Sequence, residues 1–232
     1  MNPGLAQAGD GAPALDSVEL LTRPDPTASI IWLHGLGADG FDFVPVVREL
    51  QALGAPGARY VFPHAPMRPV TINGGHVMRA WYDVLGTQIN RQEDEAGIRQ
   101  SQGQVQALIE RELRRGIAPS RIVLAGFSQG GAITLQTGLR QPAPLAALIA
   151  LSAYLPMVAS ARAEATQAAR STPIFMGHGR EDAVVPVALG RTSRDALMDL
   201  GYSVQWHEYA IPHSLSQDEI QDLARFLSEA IK

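Results

Sequence analysis

Residues 122–130 constrain the fold more than any other part of the chain. They read Ile122-Val123-Leu124-Ala125 and then, without a break, Gly126-Phe127-Ser128-Gln129-Gly130. An uninterrupted apolar run of this length fits a strand buried on both faces. Beyond it, Ile133, Leu135 and Leu139 carry an apolar helix pattern. The chain must therefore pass from a buried strand into a helix through a very tight turn. Glycines on both sides of that turn leave room where a Cβ would collide with the neighbouring strand and helix. A buried strand leading directly into a helix is half of a βαβ unit, the element from which parallel sheets are built.

The same alternation runs along the rest of the chain. Strands are predicted at Ser29 to Leu33, Arg59 to Phe62, Ile122 to Gly126, Leu145 to Ser152, Pro173 to Gly177 and Ser203 to Tyr209, with an edge strand at Ser17 to Leu21. Val105, Leu108, Ile109 and Leu113 mark one face of a helix that Gly116 and Pro119 stop. Ser216 and Glu219 have the spacing of a capping box, and Ile220, Leu223, Phe226, Leu227 and Ile231 follow as a buried stripe. The reading is an α/β fold in one domain, residues 17–232, with a mostly parallel central sheet and helices on both faces. Residues 1–16, with Pro3, Gly4, Gly9, Gly11 and Pro13, read as a flexible leader. They lack the basic start and apolar run of a signal peptide. No stretch is long and apolar enough for a membrane span, so a cytoplasmic protein is expected.

Composition removes several kinds of chemistry. With 232 residues, 46% of them hydrophobic, the chain can bury one sizeable core. A net charge of −4 argues against nucleic acid as a partner. Among 19 basic residues the single lysine is the terminal Lys232, which excludes a Schiff base, a P-loop lysine and a Ser-Lys pair. There is no cysteine, so thiolate catalysis, disulfides and cysteine-based metal sites are excluded.

Gly126 to Gly130 spells G-x-S-x-G, the pattern of a nucleophile elbow, which exposes a serine Oγ next to a helix N-terminus where developing negative charge is favoured. Partners follow in the order serine, acid, histidine. Asp182 lies just after the strand Pro173 to Gly177, and His213 just after Ser203 to Tyr209 and before the capped helix. Glu181 is the competing acid, one residue off, and His207 sits within a strand instead of after one. Oxyanion donors are expected from the backbone N–H groups of Gln129, which follows the serine, and Leu36, in the loop His34-Gly35-Leu36-Gly37 after the strand Ser29 to Leu33.

Rival readings are weaker. Gly35-Leu36-Gly37-Ala38-Asp39-Gly40 spells a dinucleotide fingerprint, but the next strand ends in Pro63-His64-Ala65-Pro66 without the acid that would hold a ribose. His207-Glu208 begins like a zincin motif, yet the next histidine, His213, lies too far on and beyond Pro212. No metal site and no cofactor is expected. A non-catalytic binding protein on this fold would be expected to lack one triad member, and none is missing.

The chain resembles the phospholipase/carboxylesterase family of α/β-hydrolases, which includes the acyl-protein thioesterases, and most of all its bacterial carboxylesterase branch. The resemblance is carried by Leu33 to Gly40, Phe62-Pro63-His64-Ala65-Pro66, Thr71 to Gly75, Ala80-Trp81-Tyr82-Asp83, Gly126 to Gly131, His178-Gly179 with Asp182, and His213-Ser214. It implies a serine hydrolase with the triad Ser128, Asp182 and His213, the oxyanion donors Leu36 and Gln129, and a small-molecule ester as substrate. Thr71 to Asp83 is expected to line the substrate pocket, with Trp81 as its apolar wall or, equally, as a core residue. Ala38-Asp39 departs from the acidic-then-hydroxyl pair of animal thioesterases, which favours esters; acyl-protein thioesterase and lysophospholipase are the alternatives. The resemblance leaves monomer and homodimer open. About twenty residues separate Ser152 from Pro173, too few for a helical lid domain. An open site without a cap should favour dissolved esters with acyl chains of about two to eight carbons.

Overall fold

The computed structural model describes residues 15–86 and 93–231; of the expected leader only Leu15 and Asp16 fall within that range. The elements are β1 (Ser17–Leu21), β2 (Ser29–Leu33), α1 (Val44–Ala52), β3 (Arg59–Pro63), β4 (Met67–Val70), β5 (His76–Arg79), α2 (Glu95–Arg114), β6 (Ile122–Phe127), α3 (Gln129–Gly138), β7 (Ala147–Leu151), α4 (Val158–Glu164), β8 (Ile174–Gly179), α5 (Val187–Asp199), β9 (Val204–Tyr209) and α6 (Gln217–Ala230). Seven strands form one sheet in the order β1-β3-β2-β6-β7-β8-β9, and β4 and β5 form a separate hairpin. β1 runs antiparallel to β3 at one edge; every other pair in the large sheet is parallel.

Helices cover both faces because the central strands are apolar on both. In β2, Ile31 and Leu33 join the core beneath α2, α3 and α5, while Ile30 and Trp32 join the core beneath α1 and α6. All five β2 residues are buried. No helix among the described residues is long and apolar enough to cross a membrane.

Three local differences from the sequence reading have physical causes. Leu113 is exposed, because the buried face of α2 continues from Val105, Leu108 and Ile109 to Glu112. That carboxylate can occupy the seam because Ser29 Oγ donates to it at 2.7 Å and Arg115 at 2.9 Å. The β4–β5 hairpin lies outside the strands read from sequence; Met67 and Val77 are exposed and Val70 is its one buried residue, too little to produce a pattern. Between β7 and β8 the expected loop contains the short helix α4.

The turn from β6 into α3 is strained. Ser128 has φ 55° and ψ −119°, a region that side chains avoid. A Cβ on Gly126 would overlap the Gly130 carbonyl, and one on Gly130 would overlap the carbonyl oxygens of Leu33 and His34. The glycines therefore let α3 start directly against β2 and β6. At the other end of the chain, Ser216 Oγ accepts from the Glu219 N–H at 3.1 Å and caps α6 as expected. The Glu219 carboxyl is buried and packs against Gly177 of β8, with Oε1 unpartnered. Burial pushes its pKa up to about 8, opposed by the Ser216 N–H and reinforced by Asp222.

Gly130→Ala should lower stability by about 1–3 kcal/mol or more, since backbone has to move to admit the methyl. Gly103→Ala, on the exposed face of α2 with open space around it, should raise stability by about 0.5–1 kcal/mol; thermal melts of the two variants should move in opposite directions. Glu219 is held protonated by the fold, so its contribution is fully present below about pH 4.5 and is lost as pH rises towards and past about 8. Glu219→Gln should therefore gain in Tm over the parent as pH is raised from 5 to 9; a constant difference across that range would show that the carboxyl does not titrate with folding.

Candidate active site

The sheet register sets the site. β2 pairs with β6 so that Leu33 lies opposite Gly126, and β6 pairs with β7 so that Phe127 lies opposite Leu151. The loop after β2 is thereby brought beside the turn after β6. Gly35 packs against the Phe127 ring and Ser128 Cβ. The Ser128 N–H donates to the Leu151 carbonyl at 2.9 Å, which fixes the serine backbone to the next strand. Ser128 itself is 8% exposed, and it begins α3, whose first N–H groups have no partner within the helix.

Asp182 and His213 come from the ends of neighbouring strands, β8 and β9. Nδ1 of His213 donates to Asp182 Oδ2 at 2.7 Å. A carboxylate only accepts, so the proton sits on Nδ1 and a neutral ring keeps Nε2 free to take one up. Asp182 Oδ1 accepts from the N–H groups of Val184 and Val185 at 2.9 and 2.8 Å, which leaves the side chain fully buried yet hydrogen-bonded at both oxygens. His178 stands behind it: its Nε2–H donates to the Val185 carbonyl at 2.7 Å, and burial holds its pKa down, so it remains a neutral brace. The Phe127 ring lies 4.7 Å from the His213 ring, which seats the imidazole beside the serine turn. Glu181, the competing acid, is exposed. His207 stacks on Phe175 and Tyr209 and lies 3.2 Å from Asp222, away from this cluster.

The loop carrying Leu36 is held by a buried histidine. His34 Nδ1–H donates to the Gly35 carbonyl at 2.7 Å, and Nε2 accepts from the Ala65 N–H at 3.0 Å. Burial lowers its pKa and keeps it neutral, which this pairing requires. The Gly37 N–H donates to the Arg79 carbonyl at 2.9 Å, tying the loop to the β4–β5 hairpin. Trp81 Nε1–H donates to the His34 carbonyl at 2.8 Å. The Gln129 side chain grips the same segment: Oε1 accepts from the Trp81 N–H at 3.0 Å, and Nε2 donates to the Tyr82 carbonyl at 2.8 Å.

A cavity of about 350 Å3 opens beside Ser128. Leu36 and Gln129 line it, together with Ile72, Tyr82, Val84 and Val184 among others. The stretch Thr71 to Asp83 thus contributes to the wall, but Trp81 does not. Trp81 is fully buried behind the wall with its N–H satisfied, and Tyr82 takes the position facing the cavity. The Gln129 and His34 side chains and Tyr82 were not singled out from sequence; the only signal for them was membership of the motifs around Gly126, Leu33 and Ala80. Among the described residues, no three His, Asp or Glu side chains are grouped so as to hold a metal ion. A serine on a helix N-terminus, a carboxylate-fixed imidazole and a partly apolar cavity are together the parts that acyl transfer requires.

Known proteins give this arrangement a lineage. The chain is 40% identical over 217 residues to acyl-protein thioesterase 1 of Neurospora crassa, covering 88% of this chain and 87% of that one. It is 34% identical over 225 residues to acyl-protein thioesterase 1 of Yarrowia lipolytica, covering 95% and 99%. Its fold superposes on the crystal structure of Arabidopsis thaliana SOBER1 with a TM-score of 0.82 at 31% identity, covering 88% of this chain and 99% of that one. Residues 20–231 match the family model described as phospholipase/carboxylesterase. By its sheet, its strand-to-helix turn and these matches, the chain belongs to the phospholipase/carboxylesterase family of α/β-hydrolases and is a hydrolase of the serine type.

Proposed function

We propose that this chain is a serine acyl hydrolase cleaving acyl thioesters and esters, with Ser128 as nucleophile, His213 as general base and acid, and Asp182 as the group that orients the imidazole. The observation that carries this reading is the 2.7 Å bond from His213 Nδ1 to the buried Asp182, beside a serine held at a strained turn. Nε2 of His213 takes the Ser128 proton as Oγ attacks the acyl carbonyl carbon. The Leu36 and Gln129 N–H groups stabilise the oxyanion, and the protonated imidazole delivers its proton to the departing thiol or alcohol. Water repeats the cycle on the acyl-enzyme, releasing the carboxylic acid and free Ser128. The apolar wall beside Ser128 suits an alkyl acyl group.

Kinship with fungal proteins named acyl-protein thioesterases favours a thioester as the main substrate. A second reading, a carboxylesterase for short- to medium-chain dissolved esters, is favoured by Ala38-Asp39 and by the absence of a lid domain between β7 and β8. The two readings share one chemistry and differ in the leaving group. A thiolate departs far more readily than an alkoxide.

An organophosphonate should add once to the intact protein, on Ser128, and Ser128→Ala should remove both adduct and hydrolysis; an adduct on another serine refutes the assignment. Asp182→Asn should preserve the fold, since an amide oxygen can still accept from Val184 and Val185, yet cost about 10⁴ in turnover. Glu181→Gln should be mild, and the reverse ranking would transfer the acid's role to Glu181. For leaving groups, an S-acylated peptide and the alkyl ester of the same acid should differ in kcat/KM by about tenfold or more in favour of the thioester. A preference for the ester would establish the carboxylesterase reading instead.

A further inference from the structure

A second cavity adjoins the one beside Ser128. It measures about 520 Å3 and sits between α4 and α5, floored by Leu155, Met157, Leu189 and Ala196. Tyr154 lines both this cavity and the one beside Ser128. Its hydroxyl lies 3.0 Å from that of Tyr82, which lines the Ser128 cavity too. The two tyrosines therefore stand together in the wall of the Ser128 cavity, and Tyr154 is shared with the second. Of its charged lining residues, Arg162 and Asp199 are 3.6 Å apart and more than half exposed, Asp195 is exposed, and the Glu93 carboxylate is engaged by a backbone N–H.

The wall is held in place from both ends. Tyr82 is anchored through its carbonyl to the Gln129 side chain at 2.8 Å. On the other side, the Leu155 N–H donates to Ser193 Oγ at 2.8 Å, and the Met157 N–H donates to the Glu93 carboxylate. Ser152 and Met157, flanking the Tyr154 loop, both have positive φ, 46° and 49°. Non-glycine residues adopt that conformation at a cost, and such strain persists where surrounding structure enforces a required shape. Here the enforced shape presents the Tyr154 ring between two cavities.

We propose that Tyr154 sets the acyl chain length of this enzyme, closing the pocket at Ser128 against a latent extension between α4 and α5 that would take the distal methylenes of a longer chain. The inference rests on the acyl-hydrolase reading given above. The occupant is the substrate's own alkyl chain, because the floor of the second cavity is aliphatic and its inner wall is the outer wall of the pocket that holds the nucleophile. Each methylene buried in such a pocket is worth roughly a fourfold gain in affinity, and one that meets the wall gains nothing. With Tyr154 in place, selectivity should rise over the first methylenes and then stop.

The test is the ratio of kcat/KM for long acyl substrates to that for the acetyl substrate, measured over a series of about two to sixteen carbons. In the parent protein the ratio should level off or fall beyond medium chains. Tyr154→Ala should extend the rise by several carbons, roughly fourfold per newly buried methylene, and Tyr154→Leu should do so less. Adding Ala196→Met to Tyr154→Ala should refill the space and return the ratio towards the parent value, while Tyr154→Phe, which removes the hydroxyl and keeps the ring, should keep the plateau. A crystal structure of Tyr154→Ala with a long-chain alkyl phosphonate on Ser128 should place the tail between α4 and α5. An unchanged ratio in folded Tyr154→Ala or Tyr154→Leu, or a tail running elsewhere, overturns the proposal. If the parent protein neither cleaves the acetyl substrate nor takes up the phosphonate on Ser128, it is the acyl-hydrolase reading that fails, and that outcome is distinct.

Discussion

Everything at the site hangs on how closely α3 approaches β2. Gly130 lies against the carbonyls of Leu33 and His34, and Gly126 lies against Gly130, so three backbone segments meet with no side chain between them. Backbone contact of this kind is stiff, because interiors are close-packed and peptide groups cannot be trimmed. It holds Ser128 at a positive φ, with ψ −119°, at the start of α3 beside the loop after β2. Burial of the flanking strands, β6 and β7 on both faces, supplies the free energy that keeps the strained turn closed.

Polar ties then fix what the backbone contact has brought together. Each is a buried group whose partners are matched: the His34 imidazole between the Gly35 carbonyl and the Ala65 N–H, the Gln129 amide across Trp81 and Tyr82, the Asp182 carboxylate among two N–H groups and an imidazole. Removing one partner would leave the other buried and unpaired, which costs more than the bond itself contributes. The network is therefore rigid as a set. It also includes two buried histidines whose pKa is lowered by that burial: His34, which holds the loop after β2, and His178, which stands behind Asp182.

Much of this was legible in the amino-acid order because the signals were local and strong. The central strands are continuous apolar runs, so β2 and β6 were placed to within a residue, and Asp182 and His213, which share a hydrogen bond, both stand just past strands at the sheet's carboxyl edge. Legibility ended where an outcome depended on tertiary contact. Leu113 and Glu112 are adjacent, and it is the partners Ser29, Arg59, Arg111 and Arg115 that let the charged one face inward. Trp81 and Tyr82 lie in a segment without a period, so nothing in the order of residues said which would face the cavity. The β4–β5 hairpin, carrying exposed Met67 and Val77, buries only Val70, which is too little to advertise it.

The parallel pairing of β2 with β6 has a consequence in time as well as in space. Leu33 and Gly126 meet only after β3, the hairpin and α2 have been threaded between them. Contacts of such long sequence separation form late, since the entropy of closing the intervening chain must be met before they give anything back. A half-folded molecule, with each βα unit already made but these two strands still apart, would hold a serine on an unstrained turn and a Leu36 amide facing no one. On the function proposed above, the site exists only while the central sheet is closed, because parting β2 from β6 would carry the Leu36 loop away from the turn that holds Ser128.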